Sequence, residues 1–365
     1  MNYTTINTTS VSCGSVPYLP LPIVQRLSPE LRAIFVFRIT VNALSCPFVI
    51  LLNILVIVAV KTNRRLRTKS NVSLACLATT DLVVGLVVQP LQIVRHSFML
   101  KGETGILCST LAKMTVAINL RCLIASLDHF VVLSGERYLA IKHSFAYENL
   151  VTEGRIIAVS GLVWAVVIIP PLEDFWPANI GNTTKFVVLV MQFIFLVLLV
   201  YFNVSVYREV RRNEKQIVAN QVSLEAKQKL LKNKKAFYCT IIVLLTIFLC
   251  YFPANIIIAT LISFMKDSIS INVKHIMFHF LSLFPVLNSL FNPLIYAVRI
   301  RHFRVAFIQS LSRKTFAQAE QLERNILGPR QIQVVASTIT EQGENRINRE
   351  GEVELKQNCD ETLNR

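Results

Sequence analysis

Long apolar blocks dominate the pattern of hydrophobic and polar positions along this chain. The blocks do not alternate with period 2, and Gly and Pro fall inside them, so helices fit better than barrel strands. Each is near the length of about 20 residues that a helix needs to cross a bilayer. We number the blocks span 1 to span 7, over roughly 34–60, 71–94, 107–135, 156–172, 185–207, 236–264 and 275–298. The pattern predicts an all-α membrane protein, a seven-transmembrane helix bundle.

Composition and charge support a membrane protein. Of all residues, 53% are hydrophobic and 16% are charged, whereas soluble proteins are about a quarter charged. The net charge of +16 could suggest nucleic acid, but basic residues crowd the segments after spans 1, 5 and 7 and are sparse in the alternate loops. The positive-inside rule then places the amino terminus outside and the carboxyl terminus in the cytoplasm. We expect a multi-pass protein of the plasma membrane with the lipid bilayer, and not nucleic acid, as partner.

The termini divide the chain into three predicted parts. Residues 1–33 form an extracellular N-terminus without a signal-peptide pattern, 34–310 the membrane domain, and 311–365 a polar cytoplasmic tail that we expect to be mostly disordered. Asn2, Asn7 and Asn182 begin Asn-x-Thr tripeptides on the outer side and are candidate glycosylation sites.

Polar residues inside the spans need an explanation, because lipid makes them costly. In span 3, Ser126 and Asn119 fall on nearly the same helical face as Arg137, so this stripe should face the bundle interior. A carboxylate among oxygens and amides suits a hard cation such as Na⁺. The alternative is interhelical hydrogen bonding worth about 1 kcal/mol per bond. The residues predicted to form one polar cluster at mid-membrane are Asn53, Asp81, Ser126, Asn288 and Asn292.

Two prolines are expected to give spans 6 and 7 a kink or hinge near the same depth, because Pro253 and Pro293 each remove a backbone hydrogen bond. Helices that can swing around buried polar groups suit a switch. A second polar stripe of span 3, with Arg121, Asp128 and His129, has no function that the pattern assigns. Neither catalytic nor zinc-binding spacing is present, so we expect no enzyme and no metal cofactor beyond Na⁺.

Six motifs in order resemble the rhodopsin-like (class A) G-protein-coupled receptors, over about 34–310. They lie on the expected spans, and an amphipathic VRIRHFRVAF follows the last as a short helix 8. The motifs are Asn53; LACLATTD with Asp81; Glu136-Arg137-Tyr138; Trp164; CYFP, Cys250 to Pro253; and NPLIY, Asn292 to Tyr296.

The resemblance implies a mechanism. Glu136 would hold Arg137 in the resting state, and in the active state the inner end of span 6 would move outward so that Arg137 meets a heterotrimeric G protein. Lys232, Lys234 and Lys235 stand where some family members place a second acidic partner, so basal activity is expected. Arrestin is a further implied partner. The residues implied in coupling are Glu136, Arg137, Tyr138, Tyr251, Pro253, Asn292, Pro293 and Tyr296.

The chain departs from the family in its outer half. The second outer loop has no cysteine to bridge to span 3, so Cys108 could pair with Cys13 or stay free. Tyr251 replaces the usual tryptophan of span 6, and span 5 has no proline between 186 and 206. The ligand-facing half is therefore less family-like than the inner half.

The resemblance argues against two classes of ligand, simple amines and retinal. Receptors for simple amines carry a carboxylate where this chain has Asn119 or Thr115, and opsins carry a lysine where it has Pro285–Leu287. The inner sequences look most like adenosine receptors, yet Ile258 stands in place of their base-binding Asn. A small molecule, a lipid or a peptide remains. The candidate ligand-binding residues are Thr115, Asn119, Tyr251, Asn255 and Ser282.

Two other functions compete with signalling. A transporter or channel would show internal repeats or symmetry-related broken helices, and the sequence has neither. A receptor-shaped protein that does not signal is the other alternative, and the intact Arg137 and NPLIY motifs disfavour it.

Overall fold

Every regular element in the described part of the chain is a helix. The computed structural model describes residues 28–101, 110–168, 178–219, 237–250 apart from 239, 243 and 247, residue 257, 271–312 and 314–326. The helices are Pro29–Thr62 (span 1); Lys69–Val83, π-helical Val84–Val88 and Gln89–Lys101 (span 2); Thr110–Lys142 (span 3); Ser144–Leu150, which we call the loop helix; Glu153–Ile168 (span 4); Ala178–Ala219 (span 5); Ile271–Leu281 and Phe284–Arg299 (span 7); and Arg301–Ser312 (helix 8).

Five of these helices are long and apolar enough to cross a membrane. They contain Pro29–Thr62, Lys69–Lys101, Ala117–Lys142, Phe193–Asn213 and Ile276–Arg299. Span 4 is a shorter helix of 16 residues, and the described part of span 6 includes the short apolar helix Thr240–Cys250. The all-α membrane fold predicted from the sequence is confirmed.

Several helices are longer than predicted, among them spans 1, 2 and 5. Span 1 begins at Pro29 because the Ser28 Oγ accepts a hydrogen bond from the Leu31 N–H (3.3 Å) and proline suits the first helical position. Span 2 continues to Lys101, so Arg95 lies on a helix and not in an outer loop. Span 5 begins at Ala178 and continues to Ala219.

The tail was expected to be mostly disordered, yet residues 316–326 are helical. The helix starts with a reciprocal capping box, in which the Thr315 N–H donates to Gln318 Oε1 (3.1 Å) and the Gln318 N–H donates to Thr315 Oγ1 (3.4 Å). The described residues from Arg304 to Ile326 belong to a second compact unit. Within this unit, Arg304 pairs with Glu323 at 2.9 Å.

Span 1 shows that the packing is arranged for lipid. Its buried face carries polar residues such as Arg38, Asn42 and Asn53, whereas Leu44 and Phe48 on the other face are 66% and 57% exposed. The polar side chains of span 1 thus share its buried face with apolar ones, and large apolar side chains cover the exposed face. Such polar residues are tolerated in a bilayer when they point into a bundle.

The helices of the first unit have defined neighbours. Span 3 packs against spans 2, 4 and 5, and span 1 packs against spans 2 and 7. Spans 1 and 2 approach closely at Gly85, where an added Cβ would lie 2.9 Å from Ile50 Cγ1. The π-helical turn of span 2 comes directly before Pro90, which has no N–H to continue the regular α-helical hydrogen bonds. In this turn the Gln89 N–H donates to the Val84 carbonyl, five residues back.

Span 7 is interrupted at Ser282 and Leu283. The interruption precedes Pro285, whereas the helix continues through Pro293, where a kink was expected. The Leu283 N–H bonds to the Phe280 carbonyl (3.2 Å), three residues back. The Leu283 N–H therefore does not donate to the His279 carbonyl, four residues back, as it would in a regular α-helix.

Side chains of span 1 donate to two of the carbonyls that span 7 leaves without regular helical donors. The Arg38 Nη1 donates to the His279 carbonyl at 2.5 Å. Pro293 cannot donate to the Ser289 carbonyl four residues back, and the Asn53 Nδ2 donates to it at 3.1 Å. Spans 1 and 7 are thus joined where the backbone of span 7 would otherwise be unsatisfied.

We expect Asn53→Leu to destabilise the protein by about 1–2 kcal/mol, because it removes a buried donor to the Ser289 carbonyl. Pro293→Ala restores a backbone donor to that carbonyl, so Asn53→Leu should cost less in this background. Thermal unfolding of the detergent-purified protein in a double-mutant cycle measures the coupling.

The control is Asn42→Leu, because the Asn42 Nδ2 donates only within its own helix, to the Arg38 carbonyl (2.8 Å). Its effect should not depend on residue 293. Equal costs of Asn53→Leu with Pro293 and with Ala at that position would contradict the explanation.

Candidate functional site

The inner end of span 3 holds a buried ion pair. The Arg137 Nε donates to Glu136 Oε2 at 2.8 Å, and the Arg137 Nη2 lies 3.5 Å from Glu136 Oε1. The two side chains are 12% and 3% exposed. A guanidinium this deep needs its partner, because breaking a buried pair leaves an uncompensated charge. The structure thus brings together the acid and arginine of the sequence motif.

A third residue, Tyr147 of the loop helix, is hydrogen-bonded to the carboxylate of this pair. Its hydroxyl donates to Glu136 Oε1 at 2.5 Å. Burial, and then the neighbouring Glu136 charge, raise the pKa of Tyr147, so the hydroxyl keeps its proton and remains a donor. We call Glu136, Arg137 and Tyr147 the inner lock. The sequence did not identify Tyr147, because its role depends on how the loop folds back.

The loop helix is held against span 2 from outside the bundle. The Lys69 Nζ lies 2.6 Å from Glu148 Oε2 and 4.5 Å from the centroid of the Tyr147 ring. Arg67 pairs with Glu153 at the start of span 4 at 2.8 Å. These contacts are largely exposed and individually weak, but together they fix the side of the loop helix that carries Tyr147.

Tyr138, the last residue of the motif, faces span 5. Its ring centroid lies 5.3 Å from that of Phe202, and its hydroxyl lies 3.4 Å from the Tyr201 hydroxyl. Tyr138 also packs against an apolar cluster in which Phe237 of span 6 contacts Val206 and Val210 of span 5. The inner end of span 6 is therefore held by apolar contacts beside the inner lock.

The mid-membrane polar residues lie on spans 1, 2, 3 and 7. The Asn292 Nδ2 donates to Asp81 Oδ2 at 2.8 Å. The Ser126 Oγ and both side-chain polar atoms of Asn288 are buried without a hydrogen-bond partner among the described residues. Asn53 contacts the Ser289 carbonyl. Unsatisfied oxygens near a carboxylate are the ligands that a hard cation prefers, so these residues could hold Na⁺.

An apolar layer follows this cluster on its outer side. It is formed by Val84 and Val88 of span 2, Cys122 of span 3 and Val286 of span 7. These residues lie within two turns of Asp81, Ser126 and Asn288 along their helices. Tyr296, another residue of the coupling set, is fully buried and lies 6.0 Å from Phe303, centroid to centroid.

Three of the candidate ligand residues lie in the described part of the chain, on spans 3 and 7. Thr115 is buried in span 3, and Asn119 is half-buried one turn further in. Ser282 lies at the interruption of span 7, where Arg38 donates to its hydroxyl. Arg38 was not among the predicted residues, although an arginine within the apolar stretch AIFVFRITV is itself a signal of function.

The second polar stripe of span 3 has a packing role. The His129 Nδ1 donates to the Ala125 carbonyl (2.7 Å), so its Nε2 accepts from the Ser160 hydroxyl of span 4 (2.7 Å). The His129 ring also lies 6.4 Å from Trp164, centroid to centroid. His129 therefore joins spans 3 and 4.

The described residues contain no group of three His, Cys, Asp or Glu that could hold a metal ion.

Several predictions fall outside the described part of the chain. The Asn182 side chain is not described, although residue 182 lies in the helix Ala178–Ala219. The other predicted residues outside the description are Asn2, Asn7, Cys13, Cys108, Lys232, Lys234, Lys235, Tyr251, Pro253 and Asn255.

Comparison with known proteins gives one consistent family. The chain matches the family described as "7 transmembrane receptor (rhodopsin family)" over residues 52–176 and 172–296. It is similar to the melatonin receptor type 1B-B of Danio rerio, with 24% identity over 304 residues, 77% of this chain and 81% of that receptor.

Two amine receptors are similar over shorter stretches. Identity to the 5-hydroxytryptamine receptor 1D of Rattus norvegicus is 32% over 152 residues, 40% of this chain and 39% of that receptor. Identity to the alpha-1D adrenergic receptor of Sus scrofa is 31% over 117 residues, 32% of this chain and 20% of that receptor. The chain thus matches about two-fifths of the length of the serotonin receptor and about one-fifth of the length of the adrenergic receptor.

We expect Tyr147→Phe to destabilise the purified protein by about 1.5–3 kcal/mol, because it removes a buried hydrogen bond to a charged group. Thermal unfolding should show the loss. In a Glu136→Gln background the same change should cost clearly less, since the carboxylate is gone. Tyr207→Phe, an exposed tyrosine of span 5, is the control. If Tyr147→Phe behaves like Tyr207→Phe, the inner lock does not include Tyr147.

Proposed function

Because this chain belongs to the rhodopsin family of seven-transmembrane receptors, we propose that it transmits the binding of an extracellular ligand to a heterotrimeric G protein through outward movement of span 6. Members of this family are multi-pass membrane receptors and not enzymes. The proposal places the protein in the plasma membrane, with the amino terminus outside and the carboxyl terminus in the cytoplasm, as the distribution of basic residues indicates.

The buried inner lock is the observation that carries this proposal. In the described conformation the charge of Arg137 is compensated by Glu136, and Tyr147 holds the carboxylate from the other side. Arg137 is then unable to contact a cytoplasmic partner. Activation requires the pair to separate, and a G protein that supplies acceptors for Arg137 would favour that separation.

The apolar cluster on span 5 sets the cost of moving span 6. Phe237 is buried against Val206 and Val210, so an outward movement exposes these side chains. The G protein would have to cover the exposed surface. Ligand binding and G-protein binding each favour the open arrangement, and by linkage each strengthens the other.

The ligand is proposed to be neither a simple amine nor retinal. Span 3 carries Thr115 and Asn119 where an amine receptor needs a carboxylate, and Pro285–Leu287 includes no lysine for retinal. The melatonin receptor is similar along most of the chain, whereas the amine receptors are similar over a minority of it. A ligand panel should therefore contain melatonin and adenosine beside amines, lipids and peptides.

We expect Arg137→Ala to abolish G-protein activation, because this variant removes the proposed coupling residue. The measurement is G-protein activation in cells across all major G-protein classes, with and without the ligand panel, at matched surface expression. Arg64→Ala, an exposed arginine of the first inner loop, should signal like the unaltered receptor.

Retained signalling in Arg137→Ala would refute the role of this residue. If neither protein signals at full surface expression, the coupling proposal fails. Ion and solute flux through the same cells then tests the alternatives of a channel or transporter, and its absence leaves a receptor that does not signal. Arrestin recruitment to the tail is measured in the same cells.

We expect Na⁺ to stabilise the purified receptor through the mid-membrane cluster around Asp81. At ten times its dissociation constant, a bound ion contributes about 1.4 kcal/mol, which raises the unfolding temperature by a few degrees. The stabilisation should disappear in Asp81→Asn and persist in Asn42→Leu. An equal effect of K⁺, or of Na⁺ on Asp81→Asn, would contradict a sodium site.

A further inference from the structure

Cationic and imidazole side chains cluster in the outer part of the bundle, between spans 1, 2 and 7. Arg38 is 2% exposed, His96 1% and His279 3%, and Arg95 is half-buried. Phe35 covers the cluster, with its ring centroid 4.9 Å from that of His279 and 5.6 Å from that of His96. None of these residues belongs to the inner lock or to the mid-membrane cluster.

Direct contacts connect Arg38, His96, His279 and Ser282. The His96 Nδ1 donates to the Gln92 carbonyl (2.6 Å), and the His96 Nε2 lies 3.4 Å from the His279 Nδ1. The Arg38 Nη1 donates both to the His279 carbonyl (2.5 Å) and to the Ser282 hydroxyl. The three helices therefore present their polar groups to one another at this point.

Within the described part of the chain, this positive charge has no negative counterpart. The acceptors of Arg38 are a carbonyl and a hydroxyl, and no carboxylate of the described residues pairs with Arg38 or Arg95. The Nε of each arginine is buried and makes no hydrogen bond within the described part of the chain. Buried guanidinium groups are costly unless an anion compensates them.

Satisfying the backbone of span 7 does not require this charge. The neutral amide of Asn53 donates to the Ser289 carbonyl in the same way that the charged Arg38 donates to the His279 carbonyl. An asparagine or glutamine would therefore suffice at residue 38. A second guanidinium at Arg95 adds like charge, which is unfavourable for the protein alone. The arrangement becomes favourable when a negatively charged group is present.

We propose that Arg38, Arg95, His96, His279 and Ser282, which we call the outer cationic cluster, bind the carboxylate or phosphate of an extracellular anionic ligand. A guanidinium presents a planar fork of donors that matches either group. The Ser282 hydroxyl adds a neutral donor. The inference rests on the proposed receptor function, and it narrows the ligand class to anions. A soluble anion and the headgroup of an anionic lipid share this chemistry.

The experiment measures binding without requiring a signal. Full-length receptor in nanodiscs of phosphatidylcholine is titrated with inorganic phosphate or acetate against chloride at equal ionic strength, and thermal unfolding is followed. A second arm replaces part of the phosphatidylcholine with phosphatidic acid. We expect a saturable rise in unfolding temperature in one of the arms, and that arm identifies a soluble anion or a lipid headgroup.

Arg38→Gln should weaken anion binding at least tenfold, because the amide can still donate to span 7 but carries no charge. Arg95→Gln removes no hydrogen bond that the described residues make, and it should weaken anion binding as well. This variant therefore tests the anion site if Arg38→Gln fails to fold. Arg64→Gln is the control and should bind like the unaltered receptor. No saturable shift in either arm, or equal shifts in Arg95→Gln and the unaltered receptor, would overturn the proposal.

Failure of this inference is distinguishable from failure of the proposed function. Arg137→Ala removes the proposed coupling residue and leaves the outer cationic cluster intact, so it should bind the anion as the unaltered receptor does. Anion binding without any G-protein signal would refute only the coupling proposal. G-protein signalling without anion binding would refute only the outer cationic cluster as a ligand site.

Discussion

The need to satisfy backbone carbonyls away from water governs this bundle. In span 7 the carbonyls of His279 and Ser289 are among those without regular helical donors, and Arg38 and Asn53 of span 1 donate to them. In lipid there is no water to replace them. The pairing of spans 1 and 7 therefore follows from the irregular backbone of span 7 as well as from apolar packing.

The same constraint shapes the other polar contacts of the bundle. Asn292 donates to Asp81, His129 joins span 3 to span 4 through Ser160, and Glu136 is bonded from two sides. Each of these groups would be costly alone and is tolerated because a neighbouring helix completes it. A contact of this kind has two discrete states, made or broken. Such contacts suit a receptor that must change between two arrangements of its helices.

Much of this protein could be predicted from its sequence by local reasoning. The apolar blocks gave the spans, and the motifs gave the resemblance to a family that the comparison confirms. Asp81 and Asn292 were expected to be neighbours and are hydrogen-bonded. Helix ends were less accurate, since span 2 was predicted to end near residue 94 and continues to Lys101. Helix ends depend on capping and on residues that suit both helix and loop.

The sequence by itself determined where the long apolar helices lie and that Glu136 lies beside Arg137, because these properties depend on neighbours within a few residues along the chain. Only the tertiary structure decided that Tyr147 bonds to Glu136, that Arg38 meets His279 and Ser282, and that His96 joins them. These contacts depend on how helices distant in sequence rotate and shift against one another. That arrangement is set by the sum of all side-chain packing and hydrogen bonding between the helices, which no single stretch of sequence contains.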